Sequence, residues 1–333
     1  MNAASSIWLE TCLAPLAEHL ARGDVTDIWI NRPGEVWLET LGGGIERHTA
    51  EDITPPMLLR LARQIAALTA QGINREHPIL SGALPTGERI QVVIPPATRG
   101  DVAIAIRKHT MSDMALEDYR AGGAFARTQV RNSVERNSTS NASSETQAGQ
   151  DKTSPIDPLD LLRDAVRHRR NILISGGTSS GKTTFLNSLL AEIPAYERLI
   201  MIEDTPELRI THDNCVGLLS ARSALGEAST SAEDLLIAAL RMRPDRIILG
   251  EIRGGEAATF LRAVNTGHPG SITTIHADSP ERAIDQLALL VLQTGMRMGW
   301  EDVVTYVRHS LDLVVQLQRG PDGREVASIM VRN

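Results

Sequence analysis

The chain has 333 residues, 42% of them hydrophobic, which is enough apolar material for the cores of about two domains. Its formal net charge of −7 argues against a protein whose whole surface binds nucleic acid. The two cysteines, Cys12 and Cys215, lie far apart without CxxC or histidine spacing, so we expect two reduced thiols rather than a disulfide framework or a zinc site.

Neither a membrane span nor a signal peptide is expected. No apolar run approaches the roughly 20 residues that cross a bilayer. The opening residues, MNAASSIWLE, lack the basic region and long apolar core of a secretory signal. We therefore expect a cytoplasmic protein that is soluble or peripheral to a membrane.

Residues 1–127 are predicted to form a small α+β domain. The segment TDIWINRPGEVWLET predicts two strands around a turn at Pro33-Gly34. MLLRLARQIAALTAQG predicts an amphipathic helix that ends at Gly72. ERIQVVIPPATRGDVAIAIRKH adds two apolar strands, and this mixture of helices and antiparallel strands is typical of α+β domains.

The composition changes abruptly at residues 128–155, which are rich in Ser, Thr, Asn and Gln. Such a segment buries too little apolar surface to offset the entropy of ordering it, so a flexible polar linker is predicted. From residue 156 to 333, apolar strands alternate with helical segments. That alternation predicts an α/β domain whose mostly parallel sheet is covered on both faces.

The strongest motif is GGTSSGKTT, which fits G-x-x-x-x-G-K-[ST] between a predicted strand and a predicted helix. Its glycines let backbone N–H groups turn toward phosphate, and the helix N-terminus favours the negative charge. Lys182 would reach the β- and γ-phosphates of ATP, and Thr183 would offer a hydroxyl to Mg²⁺. The motif predicts nucleotide contacts from Gly176, Gly177, Thr178, Ser179, Ser180, Gly181, Lys182, Thr183 and Thr184.

Two acidic sites follow predicted strands. Glu203 and Asp204 lie just past the end of the strand RLIMI, at the sheet edge where open α/β folds bind ligands, and we expect them to position Mg²⁺ or water. Glu251 follows the strand RIILG, where many nucleotide hydrolases place Asp before Glu. Because Mg²⁺ keeps several waters, Thr183 and the acidic pair suffice for the metal, which leaves Glu251 to orient the attacking water.

Two histidines lie in the segment TGHPGSITTIHADSP. His276 ends an apolar strand that should neighbour the site, and we interpret it as a sensor near the γ-phosphate rather than a general base. His268 lies between two glycines, and the residues around it favour neither a structural nor a functional role.

These four motifs, in this order, resemble those of the secretion ATPase superfamily: Walker A, Asp box, an atypical Walker B ending in Gly-Glu, and His box. The segments RMRPDRIILGEIRGGEA and TGHPGSITTIHA look most like those of the type IV secretion and conjugation branch. INRPGEVWLE, LPTGERIQVVIPPA and IAIRKH resemble its N-terminal domain. The resemblance implies a RecA-like P-loop motor domain and covers nearly the whole chain except the linker.

The resemblance also implies roles for single residues. Glu251 would be the catalytic glutamate, and Arg107 would reach the nucleotide phosphates from the N-terminal domain and stabilise transition-state charge. Arg120 and Arg127 are weaker candidates for the same surface. Three arginines around the Walker B strand would serve subunit contacts: Arg241, Arg243 and Arg253.

One departure from the family pattern is Ser179-Ser180, where Gly-Ser is commoner. Only the backbone matters there if φ is negative, in which case little effect is expected.

The implied function is a homohexameric ATPase that uses Mg·ATP to drive substrate transfer or pilus assembly at the cytoplasmic face of the inner membrane. Its partners would be channel components and other ATPases of the system. Three alternatives remain: a pilus or type II secretion ATPase, a RecA-like nucleic-acid-binding module, and a nucleotide-dependent scaffold without turnover. The net acidity and the lack of basic patches with aromatic residues argue against direct nucleic-acid binding.

Overall fold

A computed structural model describes residues 9, 11–41, 43–69, 71–108, 114–132, 157–220, 230–320 and 323–332. These residues form two compact units. The first unit draws on Met1–Ser112, Asp204–Glu207 and Leu219–Ala232, and the second on Asp113–Glu203, Leu208–Leu218 and Glu233–Asn333. Across the described part of the chain, no helix has the length and apolar character that a bilayer crossing requires.

The first unit is built on one antiparallel sheet with strand order β3-β2-β1-β6-β5-β4. Its strands are β1 (Val25–Ile30), β2 (Gly34–Thr40), β3 (Ile45–Ala50), β4 (Ile79–Ala83), β5 (Arg89–Val93) and β6 (Ala103–Arg107). Alternate residues are buried, as Ile104 and Ile106 show in β6, because successive side chains point to opposite faces.

Helices cover the buried face of this sheet. A 3₁₀ turn at Ala14–Leu16 leads into α1 (Ala17–Ala21), and α2 spans Pro55–Leu68. The prolines at the start of α2 suit the first helical turn, where their missing N–H costs no bond. The helix buries one apolar stripe into the core: Leu58, Leu61, Ala62, Ile65 and Ala66.

The second unit contains a larger sheet with strand order β10-β9-β11-β12-β8-β13-β14-β7. Its strands are β7 (Gln129–Asn132), β8 (Ile172–Gly176), β9 (Leu199–Glu203), β10 (Cys215–Leu219), β11 (Arg246–Leu249), β12 (Ile272–Ile275), β13 (Leu313–Gly320) and β14 (Gly323–Val331). The central strands are parallel and wholly buried, which accounts for their continuous apolar sequences. Within the described part of this second sheet, β13 and β14 form an antiparallel hairpin.

The helices of the second unit connect these strands and lie against the sheet. They are α3 (Leu116–Ala121), α4 (Pro158–Arg167), α5 (Lys182–Leu190), α6 (Ala232–Ala239), α7 (Glu256–Asn265), α8 (Pro280–Gln293) and α9 (Trp300–Ser310). The α4 helix starts at Asp157, whose carboxylate accepts the Leu159 N–H at 2.8 Å. The α8 helix starts at Ser279, whose hydroxyl accepts the Arg282 N–H at 3.2 Å.

The structure differs from the sequence prediction around residue 128. The predicted N-terminal domain extends to residue 127, but helix α3 belongs to the second unit, because Leu116 and Tyr119 are buried in its core. The start of the expected linker is not a linker: β7 pairs in parallel with β14. Three of its four residues are polar, but an edge strand needs only main-chain bonds. Residues 133–156, most of the predicted linker, lie outside the described residues.

Candidate active site

The site residues follow strands that end at one edge of the large sheet. In register, Leu249 lies beside Ile202 and Thr273, and Ile275 lies beside Ser175. The residues that come next, the P-loop, Glu203, Gly250-Glu251 and His276, therefore leave the sheet at a common level. This is the carboxyl edge, where open α/β sheets bind their ligands.

The P-loop connects β8 to α5, as its motif predicts. Lys182 is buried, and its ammonium donates to the Gly176 carbonyl at 2.9 Å and the Gly177 carbonyl at 3.0 Å. Gly181 precedes the helix with a φ of 90°, a conformation that glycine adopts without strain. The N-terminal N–H groups of α5 thus open at the same place as the lysine charge.

His276 links the P-loop lysine to Glu251. The Lys182 ammonium lies 3.3 Å from His276 Nδ1, and His276 Nε2 lies 3.1 Å from Glu251 Oε1. Burial, and then the Lys182 charge, lower the pKa of His276 below its ordinary value, so the ring is neutral at pH 7. Because an ammonium can only donate, Nδ1 accepts and the Nε2–H donates to Glu251.

Glu251 also accepts a hydrogen bond from an arginine that the sequence did not single out for this contact. Arg253 Nη2 lies 2.6 Å from Glu251 Oε2. The structure gives Arg253 this contact within the chain, and its role at a subunit contact stays a prediction. The two residues are only two positions apart, and that spacing was the available signal. Glu251 is mostly buried, so its two oxygens are fixed by His276 and Arg253.

Gly250 is explained by the neighbouring strand. Its N–H donates to the Ile202 carbonyl at 2.8 Å, and its carbonyl accepts from Thr274 Oγ1 at 2.8 Å. A Cβ at position 250 would lie 3.2 Å from the Glu203 Cβ and 3.5 Å from the Ile202 carbonyl. An aspartate there would crowd Glu203, so the glycine leaves room for the carboxylate of the adjacent strand.

The acidic pair is divided between the two units. Glu203 ends β9, is buried, and accepts the Leu208 N–H at 2.9 Å through Oε2. Asp204 belongs to the first unit, where Arg89 contacts Asp204 Oδ1 at 3.1 Å and Glu207 Oε1 at 2.5 Å. Sequence reasoning missed Arg89, because nothing in the pattern of β5 sets it apart.

Ser179 does not meet the condition under which little effect was expected. Its φ is 59°, in the left-handed region that L residues with a Cβ adopt at a cost. Glycine, common in the family at this position, takes that conformation freely. Ser180 has no such strain, but its Oγ is buried without a hydrogen-bond partner among the described residues.

Two arginine candidates have contacts within their own units. Arg107 ends β6 in the first unit and contacts Asp27 Oδ1 at 3.3 Å. Arg120, a weaker candidate for a phosphate contact, pairs with Asp157 at 2.9 Å and Asp160 at 3.6 Å, which fastens α3 to the start of α4.

Two further side chains that the sequence singled out have contacts within the second unit. Arg127 pairs with Glu325 at 2.7 Å. The ring of His268 lies 3.3 Å from the Pro244 carbonyl, ahead of β12 and away from the carboxyl edge, which favours its structural role.

The side chains at this edge suit a nucleotide that binds together with its own metal ion. The described residues contain no cluster of three or more His, Cys, Asp or Glu side chains arranged to hold a metal ion. Mg²⁺ needs few protein ligands and is commonly held by one or two side chains and the phosphates. Thr183, next to Lys182 at the start of α5, is suited to that role.

Comparison with known proteins agrees with this geometry. The family described as "Type II/IV secretion system protein" matches residues 10–325. The type IV secretion system protein VirB11 of Bartonella quintana is 37% identical over 316 residues, covering 93% of this chain and 88% of that protein. PtlH of Bordetella pertussis, also a type IV secretion system protein, is 37% identical over 319 residues, covering 92% and 89%.

Solved structures give the same result. The VirB11 ATPase of the Brucella suis type IV secretion system, crystallised with sulphate, is 34% identical, covers 97% of both chains and has a TM-score of 0.50. The pilus retraction motor PilT with bound ADP has a TM-score of 0.61 at 22% identity, covering 98% of this chain and 83% of that one, and shows the shared fold. The chain therefore belongs to the type II/IV secretion system protein family, as an ATP-hydrolysing member with a RecA-like motor and an N-terminal domain, similar to the type IV secretion ATPases.

Proposed function

We propose that this ATPase works as a homohexamer with Mg·ATP and powers substrate transfer or pilus assembly by a type IV secretion system. It would act at the cytoplasmic face of the inner membrane, beside channel components and other ATPases of the system. The named relatives are type IV secretion system proteins, which supports this placement. The family and its solved relative support nucleotide hydrolysis as the source of energy.

The observation that carries the site assignment is the continuous contact from Lys182 through His276 to Glu251. It joins the phosphate-binding loop to the carboxylate that we propose as the catalytic one. When the Lys182 ammonium binds a phosphate, it gives up its hydrogen bond to His276. The imidazole is then released to adjust Glu251, which makes His276 a sensor of the γ-phosphate.

The other roles are assigned by chemistry. The N–H groups at the start of α5 and the Lys182 ammonium bind the phosphates. Thr183 would hold Mg²⁺, and waters held by Glu203 or Asp204 would complete its coordination. Glu251 orients and deprotonates the attacking water. Arg107, an exposed arginine at the end of β6, supplies positive charge to the transition state in the manner of an arginine finger.

Mass photometry beside phosphate release tests the assembly and the Arg107 role together. With Mg·ATP we expect particles of six chains and steady phosphate release. Arg107→Ala should slow release about a hundredfold, the lower range for an arginine that stabilises transition-state charge, without loss of the hexamer. Full turnover by a monomer would refute the hexameric mechanism, and an unchanged rate in Arg107→Ala would remove that residue from the site.

A further inference from the structure

The β13–β14 hairpin lies against the P-loop. Leu317 of β13 pairs with Gly176, the first residue of the loop motif. From β14, Arg324 crosses Gly181: a Cβ at that glycine would lie 2.8 Å from Arg324 Cδ, 3.3 Å from Nε and 3.6 Å from Nη1. The guanidinium therefore lies within a few ångströms of the backbone that opens the N-terminus of α5.

The charge around Arg324 is not compensated by the hairpin. Its cross-strand partner is Arg319, so two exposed arginines stand directly opposite each other on one face of the hairpin. Like charges in that position are destabilising. Within the stretches that the structure describes, no carboxylate forms an ion pair with Arg324.

The nearest carboxylate in sequence is committed elsewhere. Glu325 points to the opposite face of β14, because successive strand residues alternate. It accepts from Gln318 Nε2 at 2.5 Å and from Arg127 Nη2 at 2.7 Å. Those bonds hold the pKa of Glu325 below its ordinary value and keep it ionised at a distance from the P-loop face.

The surroundings of Arg324 hold the P-loop helix in place. Tyr119 of α3 packs edge-on against Phe185 of α5, with ring centroids 5.2 Å apart. Burial raises the pKa of Tyr119 to about 12, and the Arg324 charge acts against that rise, so the two groups are near neighbours. Arg324 is exposed, and the Tyr119 ring near it packs against the P-loop helix.

We propose that Arg324 is a nucleotide-binding residue that contacts the phosphate chain of ATP and ADP from the β14 side of the P-loop. The inference rests on the proposed role of the P-loop and adds a residue from the same unit to it. A phosphate at the N-terminus of α5 would supply the anion that the arginine pair lacks. A charge-assisted bond to an anion is among the stronger hydrogen bonds, so its loss should be measurable in affinity.

Equilibrium titration with a fluorescent ADP analogue and Mg²⁺ tests the proposal, using the full chain. Arg324→Gln should raise Kd roughly tenfold or more, and Arg324→Lys should recover part of the loss because it restores the charge. The matched control is Arg170→Gln, which removes the same charge just before β8, at the sheet end opposite the P-loop. Its Kd should stay within about twofold of wild type.

Two further readings separate the possible failures. The melting temperature without nucleotide should be unchanged in Arg324→Lys; if it falls and the lysine restores no affinity, Arg324 only supports the loop and the proposal is overturned. An unchanged Kd in Arg324→Gln overturns it as well. Lys182→Ala is measured alongside: wild-type affinity in that variant would instead reject the P-loop as the nucleotide site.

Discussion

At the scale of the residue, Ser179 shows a cost inside the P-loop. The loop turns through a left-handed conformation at this position, and a serine holds it with a φ of 59°. Such a conformation costs a residue with a Cβ on the order of 1–2 kcal/mol. The sequence shows the departure from the family pattern but not its cost in conformational free energy, because the sign of φ cannot be derived from the residue type.

Ser179→Gly should therefore stabilise the protein. The gain is limited by the extra freedom of glycine in the unfolded chain, so we expect up to about 1 kcal/mol, or a few degrees in the melting temperature of the nucleotide-free protein. Thr178→Gly is the matched control, since Thr178 is exposed and has no positive φ. It should lower stability by about 0.5–1 kcal/mol. Equal shifts in both variants would contradict the strain.

Most of the candidate site was predictable residue by residue from the sequence. The P-loop, Glu251 and His276 follow strands whose apolar sequences are easy to recognise, and parallel strands bring such positions to one edge. The contacts among them were not predictable. The bond from His276 to Glu251, the approach of Arg253 and the place of Arg324 depend on side-chain directions and on strand order, which spacing alone does not fix.

At the scale of the element, strand β11 carries a buried ion pair at the end opposite the site. Arg246 donates to Glu197 through Nε at 2.7 Å and Nη2 at 2.9 Å, and both side chains are fully buried. Burial by itself raises the pKa of Glu197, but the bonds and charge of Arg246, with Arg169 nearby, hold that pKa below its ordinary value. The pair fixes the start of β11 against the turn before β9.

Arg246→Met should destabilise the protein by about 3–5 kcal/mol at pH 7, because it leaves Glu197 buried without its main partner. The depressed pKa means that the native pair stabilises above the carboxyl's ordinary pKa of 4.5 and that this contribution fades as pH falls through the folded pKa. The variant's deficit should shrink between pH 7 and pH 5, since protonation relieves the lone carboxylate. Urea unfolding at both pH values measures it.

The control for that experiment is Arg167→Met, because Arg167 is exposed and its contact with Glu192 is a long one, at 3.8 Å. A surface change of this kind should lie within about 0.5 kcal/mol of wild type. A deficit in Arg246→Met that is equally large at both pH values would show that lost packing, rather than the buried carboxylate, sets the cost.

The elements that the sequence mispredicted share a cause. β7 is mostly polar, yet it forms because the edge of β14 offers main-chain bonds that any side chain permits. Helix α3 is short, and its two buried residues are too few for a periodic signal. The long apolar strands and amphipathic helices were predicted well, since burial on one or both faces leaves a clear pattern in the sequence.

At the scale of the whole molecule, the family relationship extends across nearly the full chain. The family match covers residues 10–325, and the curated relatives align over 92% or more of the chain. The resemblance read from four short motifs is therefore confirmed for the type IV secretion ATPases. What spacing could not supply is the division of Glu203 and Asp204 between two compact units, because a unit is defined by contacts distant in sequence.

Glu251, as the residue that activates water, is the centre of the proposed mechanism. The direct test is Mg·ATP binding and phosphate release by Glu251→Gln, which keeps the shape of the side chain and removes its charge. We predict an affinity within about twofold of wild type and phosphate release reduced by roughly a hundredfold or more. Release at the wild-type rate by this variant would contradict the account and assign the chemistry to another carboxylate.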